Sequence, residues 1–505
     1  MLRRILVCTV AAVAVFAALF AAVACGYVGL PFGLTVNFPG FSGDALPDAQ
    51  LAQRIALPPG FHINSYAGGI ENARMLRFTP SGDLLVSSPR QGKVFLVERD
   101  SDHDGVADGM RVLLGNLNNP HGLALHQGYL YVAEGDAVLR VRFDAEQRTL
   151  LGQPERIITG IPSGGNHWTR TVGIGPDEKL YVSIGSDCND CIEAEARRAT
   201  IMRFNLDGSG GEIYASGLRN SVGFDWQPGS GDLYATDNGR DLLGDDFPPC
   251  EFNKIVQGGF YGWPFAHGDR VPDPTLGKGN EARIAASIPP AHAFGAHVAP
   301  LGMTFYRTPS GAAPAAFPPQ YDGVAFVAQH GSWNRSKKSG YQVVSLTFNA
   351  DGTISEAPFA SGFVRDEKAS GRPVDVAEGP DGALYVSDDF TGSIYRIAYG
   401  AAASANAAPA ATKPSGDPLA GLDAAAIQAA SARAATLWGA SGCGGCHIKE
   451  QADAAAYHPL DNLKSRYTID TLASFLKSPQ PPMPIFPFSD EQRRDLAIYL
   501  LATHP

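Results

Sequence analysis

Gly379-Pro380-Asp381-Gly382-Ala383-Leu384-Tyr385-Val386-Ser387 decides the architecture, because the same phrase returns along the chain. A turn built of glycine, proline and aspartate runs into an apolar stretch ending in Val-Ser, the pattern of a tight turn feeding a buried strand. Thr79-Pro80-Ser81-Gly82-Asp83-Leu84-Leu85-Val86-Ser87 is another copy, and Gly175-Pro176-Asp177 through Tyr181-Val182-Ser183 a third. Looser versions stand at Gly122-Leu123-Ala124, from Gln227 to Tyr234 and from Leu301 to Ala328, which makes six. Spacings of about 50 to 80 residues leave room for four strands per copy. Six such units, over residues 50–400, close most economically as an all-β six-bladed β-propeller, which leaves only short sheet edges. Five or seven blades remain compatible with the pattern.

The longest spacing comes from an insertion between about Arg240 and Pro300. Loops of that length on a rigid scaffold tend to carry function. Residues 401–420 are rich in Ala, Pro and Ser and read as a linker, which leaves residues 421–505 as a separate domain. A chain of 505 residues is too long for one ordinary core. Apolar content of 44% excludes wholesale disorder, and a formal charge of −11 argues against nucleic acid as a partner.

At the N-terminus Met1-Leu2-Arg3-Arg4 precedes an uninterrupted apolar run from Ile5 to about Leu30. Residues 1–34 read as an export signal, or as a membrane anchor if they are retained. Ala22-Val23-Ala24-Cys25 also resembles a weak lipoprotein box. Cleavage, lipidation and anchoring all place the bulk of the chain outside the cytoplasm, so a periplasmic protein is expected, with a membrane tether left open.

Cys443-Gly444-Gly445-Cys446-His447 is a CxxCH pentapeptide. Two thiols that add to haem vinyl groups and an adjacent imidazole for iron mark covalent attachment of a c-type haem. Met483, in Pro481-Pro482-Met483-Pro484, supplies the expected second axial ligand, a pairing that raises the reduction potential. His458 and His504 are alternative imidazoles that read as surface residues. An alanine-rich helix is expected from Leu422 to Ala440, with Ile427, Ala430, Ala434 and Leu437 on one face. A further helix is expected after Ser489, which has capping-box spacing to Gln492, with Leu496 and Leu500 at i, i+4. The segment resembles a small all-α class I cytochrome c domain.

Of the other cysteines, Cys188 and Cys191 form a CxxC with no second pair to complete a zinc site. Outside the cytoplasm that favours a local disulfide. Cys250 is then the odd thiol, or a competing partner. Asp100-Ser101-Asp102-His103-Asp104-Gly105-Val106-Ala107-Asp108 follows the first half of a calcium loop, with the Val106 carbonyl among the ligands. Arg111 occupies the place of the bidentate glutamate, and an acidic hairpin turn is the alternative reading.

Asn166-His167-Trp168-Thr169-Arg170 offers a base beside an arginine. Together with His167 to Asp187, Gly217-Leu218-Arg219-Asn220, Gly258 to Pro264 and Gly371-Arg372-Pro373-Val374-Asp375, it resembles the soluble quinoprotein sugar dehydrogenases, most closely the sorbosone dehydrogenase branch. The resemblance implies a six-bladed propeller holding pyrroloquinoline quinone (PQQ) and calcium over the central channel. It makes His167 the base that takes the proton of the sugar's anomeric hydroxyl as hydride passes to the quinone. The acid that orients this histidine falls at Ser186 or Asp187, and Asp187 is expected. Arg219 and Asn220 match a cofactor-contacting pair, and Arg372 a cofactor arginine, whereas a second family arginine is replaced here by Val374. Arg335 falls near a family lysine. His121 and His297 fall where pocket residues belong, and Gly239 and Arg240 where backbone carbonyls bind calcium.

These readings combine into a periplasmic quinohaemoprotein that oxidises an aldose or keto-aldose at PQQ and passes electrons through haem c to a cytochrome or respiratory chain. A tethered acceptor gives that transfer a high effective concentration. The competing expectations are a calcium-dependent lactonase-type propeller and a non-catalytic binding propeller, each fused to a cytochrome.

Overall fold

The computed structural model describes residues 37–38, 40, 42–309, 313–400, 417–449, 451, 458–460, 463–477, 479, 483, 486 and 488–504. The apolar N-terminal run and the linker residues 401–416 lie outside them. Among the described residues no helix is long and apolar enough to cross a membrane. The chain divides into two compact units, 1–95 with 112–400, and 96–111 with 401–505.

Six sheets, each built on four antiparallel strands, follow one another along the chain, and the third gains a short fifth strand, Gly259–Phe260, paired parallel to Glu212–Ser216. Their first two strands are Leu76–Phe78 and Leu84–Ser88, Leu123–His126 and Tyr129–Ala133, Arg170–Ile174 and Leu180–Ile184, Phe224–Trp226 and Leu233–Asp237, Pro300–Phe305 and Ala325–Gln329, and Pro373–Glu378 and Leu384–Asp388. These are the six expected blades. The three full copies of the repeated phrase are each the hairpin between the first two strands of a blade. Thr79 N donates to Asp83 O at 2.8 Å, Gly175 N to Lys179 O at 2.9 Å and Gly379 N to Ala383 O at 2.8 Å. In two copies a tyrosine hydroxyl returns to the turn aspartate, Tyr181 to Asp177 at 3.0 Å and Tyr385 to Asp381 at 3.2 Å.

The serine that ends such a phrase ties the second strand to backbone just before or within the first. Met75 N donates to Ser87 Oγ at 3.0 Å and Asp375 N to Ser387 Oγ at 3.0 Å. Thr236 does the same for Gly223 N at 3.1 Å in the fourth blade, and its hydroxyl donates to Leu301 O of the fifth at 2.7 Å. A small hydroxyl residue therefore recurs because it satisfies backbone groups near the axis, where water is excluded.

The ring is closed by Phe61–Ala67, which pairs antiparallel with Ser393–Tyr399 and completes the sixth blade from the other end of the chain. Ile63, Tyr395 and Ile397 lock the closure in a core shared with Phe326 and Phe359. The insertion is shorter than its sequence suggests. Pro249–Ile255 and His292–Ala296 are the third and fourth strands of blade four, paired to each other. The added material between them holds the strand pair Ala266–His267 and Val271–Pro272 and the short helix Glu281–Ala286.

In the second unit the helices are Ala424–Ala440, Gly444–His447, Leu463–Arg466, Ile469–Lys477 and Asp490–Thr503. The first starts two residues later than expected because Asp423 caps it, accepting from Ala426 N at 2.7 Å. Ser489 and Gln492 form the full capping box. Ala430, Ala434, Leu472, Leu496 and Leu500 share one core, and Arg433 grips Asp495 with two bonds of 2.6 and 2.7 Å.

Candidate functional site

His167 lies just before the first strand of blade three, and Gly185-Ser186 just after its second strand. Buried Arg170 pins the segment from below, its guanidinium donating to His167 O at 2.9 Å, Thr169 O at 2.6 Å and Pro162 O at 2.5 Å. The arginine beside the histidine is thus a structural tie. The ring Nδ1 stands 2.9 Å from Ser186 O and 2.8 Å from Ser186 Oγ. A carbonyl only accepts, so Nδ1 carries the proton and the lone pair belongs to Nε2. Burial, reinforced by the Arg219 charge, pushes this imidazole down to about 3, so it is neutral at ordinary pH.

Asp187, expected to orient the histidine, does not do so. Its carboxylate lies 3.4 Å from Arg198, and its backbone carbonyl accepts from Asn166 N at 2.8 Å. Successive side chains leaving a strand point to opposite sides, and the inward position is that of Ser186.

His167, Arg219, Asn220, Gly239, Asp241 and His297 line one cavity of about 450 Å³, with Trp333 on its wall. Arg219 is held on three sides: Nε donates to Asn189 O at 3.0 Å, Nη2 to Asn189 Oδ1 at 2.8 Å and Asp241 Oδ2 at 3.0 Å, and Nη1 to Asn238 O at 3.2 Å. The backbone of the Arg-Asn pair is fixed by Asp237, which accepts from Arg219 N at 2.9 Å and Asn220 N at 2.6 Å. Burial, with Glu251 nearby, pushes the Asp237 carboxyl up to about 8. Asn220 Oδ1 is buried without a partner, an acceptor that a bound group would satisfy.

Two glycines make the convergence possible. A Cβ at Gly185 would lie 2.6 Å from both Asn220 Oδ1 and His167 Cβ, and one at Gly239 would lie 2.6 Å from Pro249 O. Gly239 lines the cavity, whereas the Arg240 side chain turns away to Asp190 at 2.7 Å and to Asp273.

Other expected residues stand apart from the cavity lining. Arg335 donates to Asp245 O at 2.5 Å and Asp246 at 2.8 Å. Arg372 donates to His330 O and Gly331 O, both at 3.2 Å, and lies over the Tyr341 ring. His121 is fully buried against Trp168, with Nδ1 3.4 Å from the Thr171 hydroxyl. Of the two extra histidines only His297 reaches the cavity, where Nε2 donates to Gly244 O at 2.7 Å. Val374 packs with Val222 and Leu301 in a small apolar cluster, which explains how this position does without a charge.

Cys188 and Cys191 are joined as expected, and Cys250 is a buried free thiol that lines the cavity. Ser186 was the alternative to Asp187 in the sequence reading, whereas Asn189, Asn238, Asp241 and Trp333 were not singled out by it. The only signal available for these was adjacency: Asn189 inside the CxxC, and Asn238 and Asp241 flanking Gly239-Arg240.

In the second unit Asp100 accepts from Asp104 N at 3.1 Å and Gly105 N at 2.7 Å, and Asp104 from Val106 N at 2.8 Å, the winding expected of the acidic loop. A cation already stands among its carboxylates. Lys477 Nζ lies 2.9 Å from Asp102, 3.1 Å from Asp108 and 3.4 Å from Asp104. Cys443 and Cys446 are unpaired thiols on either side of one helical turn, and His447 Nδ1 donates to His458 O at 2.7 Å. Met483 packs at the edge of the helical core.

A family model described as TrAA12-like matches residues 55–248 and 268–400. An uncharacterised protein of Borreliella burgdorferi is 30% identical over 366 residues, covering 69% of this chain and 92% of its own. The pyrroloquinoline quinone-dependent pyranose dehydrogenase of Coprinopsis cinerea is 25% identical over 407 residues, 67% of this chain; the chain spans 54% of that enzyme's length. The holo PQQ domain of a Coprinopsis cinerea pyranose dehydrogenase superposes with a TM-score of 0.58 at 22% identity, over 68% of this chain and 97% of that domain, which establishes the shared fold.

Proposed function

Because this chain belongs to the TrAA12-like family, we propose that it is a PQQ-dependent sugar dehydrogenase that oxidises an aldose or keto-aldose, in the manner of a sorbosone dehydrogenase, outside the cytoplasm. The observation that carries this reading is the convergence of a neutral His167, its Nε2 lone pair free of Ser186, with Arg219 and Asn220 around one polar cavity.

The residues present fit an anionic, oxygen-rich planar cofactor. Arg219 supplies fixed positive charge, and Asn220 Oδ1, buried without a partner, would accept from an N–H of the bound group. Gly239 brings bare backbone to the cavity where a side chain would collide with Pro249, which suits a calcium ion held by carbonyl oxygens. When bound, the quinone supplies the two-electron acceptor that the side chains lack. His167 then acts at Nε2: it takes the proton of the sugar hydroxyl, and Ser186 O stabilises the imidazolium through Nδ1–H. Arg219, immobilised before the reaction, opposes negative charge that develops beside it without reorganising.

The same proposal gives the C-terminal unit its role as a c-type cytochrome domain. Free Cys443 and Cys446, the oriented His447 and the nearby core residue Met483 are the groups that covalent haem needs, and bound haem supplies a one-electron carrier. A soluble cytochrome or respiratory chain component would take electrons from it. The apolar residues 5–30 support export and, where they are retained, a membrane tether.

Purified full-length protein should reduce an artificial dye in the presence of aldoses only after loading with PQQ and calcium. Equal activity without added or co-purified PQQ would overturn the reading. A lactonase-type propeller would instead hydrolyse a lactone with no electron acceptor present.

A further inference from the structure

We propose that Asn189 is a positioning residue for Arg219, and that the Cys188–Cys191 disulfide is the clip that holds it in register. The inference rests on the cofactor pocket proposed above and adds to it the element that sets the affinity of that pocket for its anionic ligand.

The loop between the two cysteines is two residues long, and each of the two holds an arginine: Asn189 the cavity-lining Arg219 and Asp190 the outward-turned Arg240. Asn189 meets Arg219 twice, through its carbonyl at 3.0 Å from Nε and its Oδ1 at 2.8 Å from Nη2. The same Oδ1 accepts from Asp241 N at 2.9 Å, and Nδ2 donates to Asp241 O at 3.1 Å, so Asn189 also fixes the acid paired with Arg219. Asp190 bonds Arg240 at 2.7 Å. On the other side, Ser186 Oγ donates to Cys188 O at 2.8 Å while facing His167 Nδ1. One clipped loop therefore carries the groups that orient the base and the pocket arginine.

The chemistry explains the need for a clip. A two-residue loop presenting a main-chain carbonyl to a buried cation needs its backbone dihedrals fixed, and no helix or strand spans residues 185–199 to fix them. Cross-linking Cys188 to Cys191 restricts the loop. Guanidinium orientation is then set before a ligand arrives, which lowers the ordering cost of binding.

Asn189→Ala, in the full chain, should weaken PQQ binding by roughly ten-fold or more, the scale of a lost hydrogen bond to a charged group. Asn189→Gln keeps the amide and should recover part of that affinity. Cys188→Ser with Cys191→Ser should weaken binding in the same direction. Wild-type PQQ affinity in Asn189→Ala would overturn the positioning role. Equal loss in the alanine and glutamine variants, accompanied by a lowered unfolding temperature of the cofactor-free protein, would also overturn it, because that is the mark of a merely structural residue. Wild-type affinity in the double cysteine variant would overturn the clip. Arg219→Ala separates this inference from its premise: if that variant also binds PQQ normally, the cofactor pocket itself is misplaced.

Discussion

His167 Nδ1 is held within 2.8 Å of the Ser186 hydroxyl and 2.9 Å of the Ser186 carbonyl, so a single neighbouring residue fixes both the tautomer and the direction of the ring. Ser186→Ala removes the hydroxyl and keeps the carbonyl. Its kcat should fall by about ten-fold, the cost of one polar hydrogen bond, with PQQ affinity unchanged. Asp187→Asn should leave kcat near wild type, because that carboxylate faces Arg198. Steady-state kinetics on the two variants distinguishes the orienting residue.

The protonation of His167 predicts a pH signature. Its folded value of about 3 lies below its ordinary value, so the neutral form stabilises the fold fully above about 6.5, and that stability is lost as pH falls toward 3. Relative to His167→Gln, cofactor-free wild type should lose at most about 1.4 kcal/mol per pH unit over that window. Chemical denaturation of the two proteins at several acidic pH values measures the difference.

Gly185→Ala should impair both cofactor affinity and kcat, each by about ten-fold, because its new methyl group must push His167 and Asn220 apart. The unfolding temperature should fall as well, because His167 Cβ sits on backbone that Arg170 holds in place. Titration with PQQ and a thermal melt, run on one preparation, provide both readouts.

Lys477 is placed to neutralise the acidic loop, and its ammonium is pushed above its ordinary value by Asp102, Asp104 and Asp108 despite burial. Lys477→Ala should cost roughly 1–3 kcal/mol of stability in neutral buffer by leaving these carboxylates facing one another. Calcium should then raise the melting temperature of the variant by more than that of wild type. An identical calcium response in the two proteins would show that lysine and metal do not compete for the loop.

On the proposed reading of the C-terminal unit as a c-type cytochrome domain, Met483→Ala should lower the haem reduction potential while leaving sugar-dependent dye reduction intact. Cys443→Ser with Cys446→Ser should leave the haem extractable by denaturation, again without loss of dye reduction. Potentiometry and extraction test the two statements.

The blades were legible because the turn phrase and the closing serine each have a local job, such as the Thr79 to Asp83 hairpin and the Ser87 bond to Met75. The closing strand was not, since nothing within Phe61–Ala67 identifies a partner more than 320 residues away, at Ser393–Tyr399. Pro249–Ile255 was absorbed into the insertion because it opens on a proline that follows Pro248 and carries four consecutive buried residues, which hides the two-residue alternation. His167, Arg219 and Asn220 were found through family resemblance, and their mutual approach depends on Gly185, whose role is visible only once the backbone is in place. Arg335 and Arg372 carry the right charge for the pocket, but their guanidinium groups are directed by Asp245, Asp246 and the His330 and Gly331 carbonyls.

The most direct test mixes the oxidised full-length protein, loaded with PQQ and calcium, with excess aldose and follows the haem absorbance in time. Haem should become reduced only when sugar and PQQ are both present, and His167→Ala should abolish that reduction while leaving the oxidised haem spectrum intact. Reduction of the haem by sugar at the same rate in PQQ-free protein, or undiminished reduction in His167→Ala, would contradict a path for electrons that begins beside His167 and leaves through Cys443–His447.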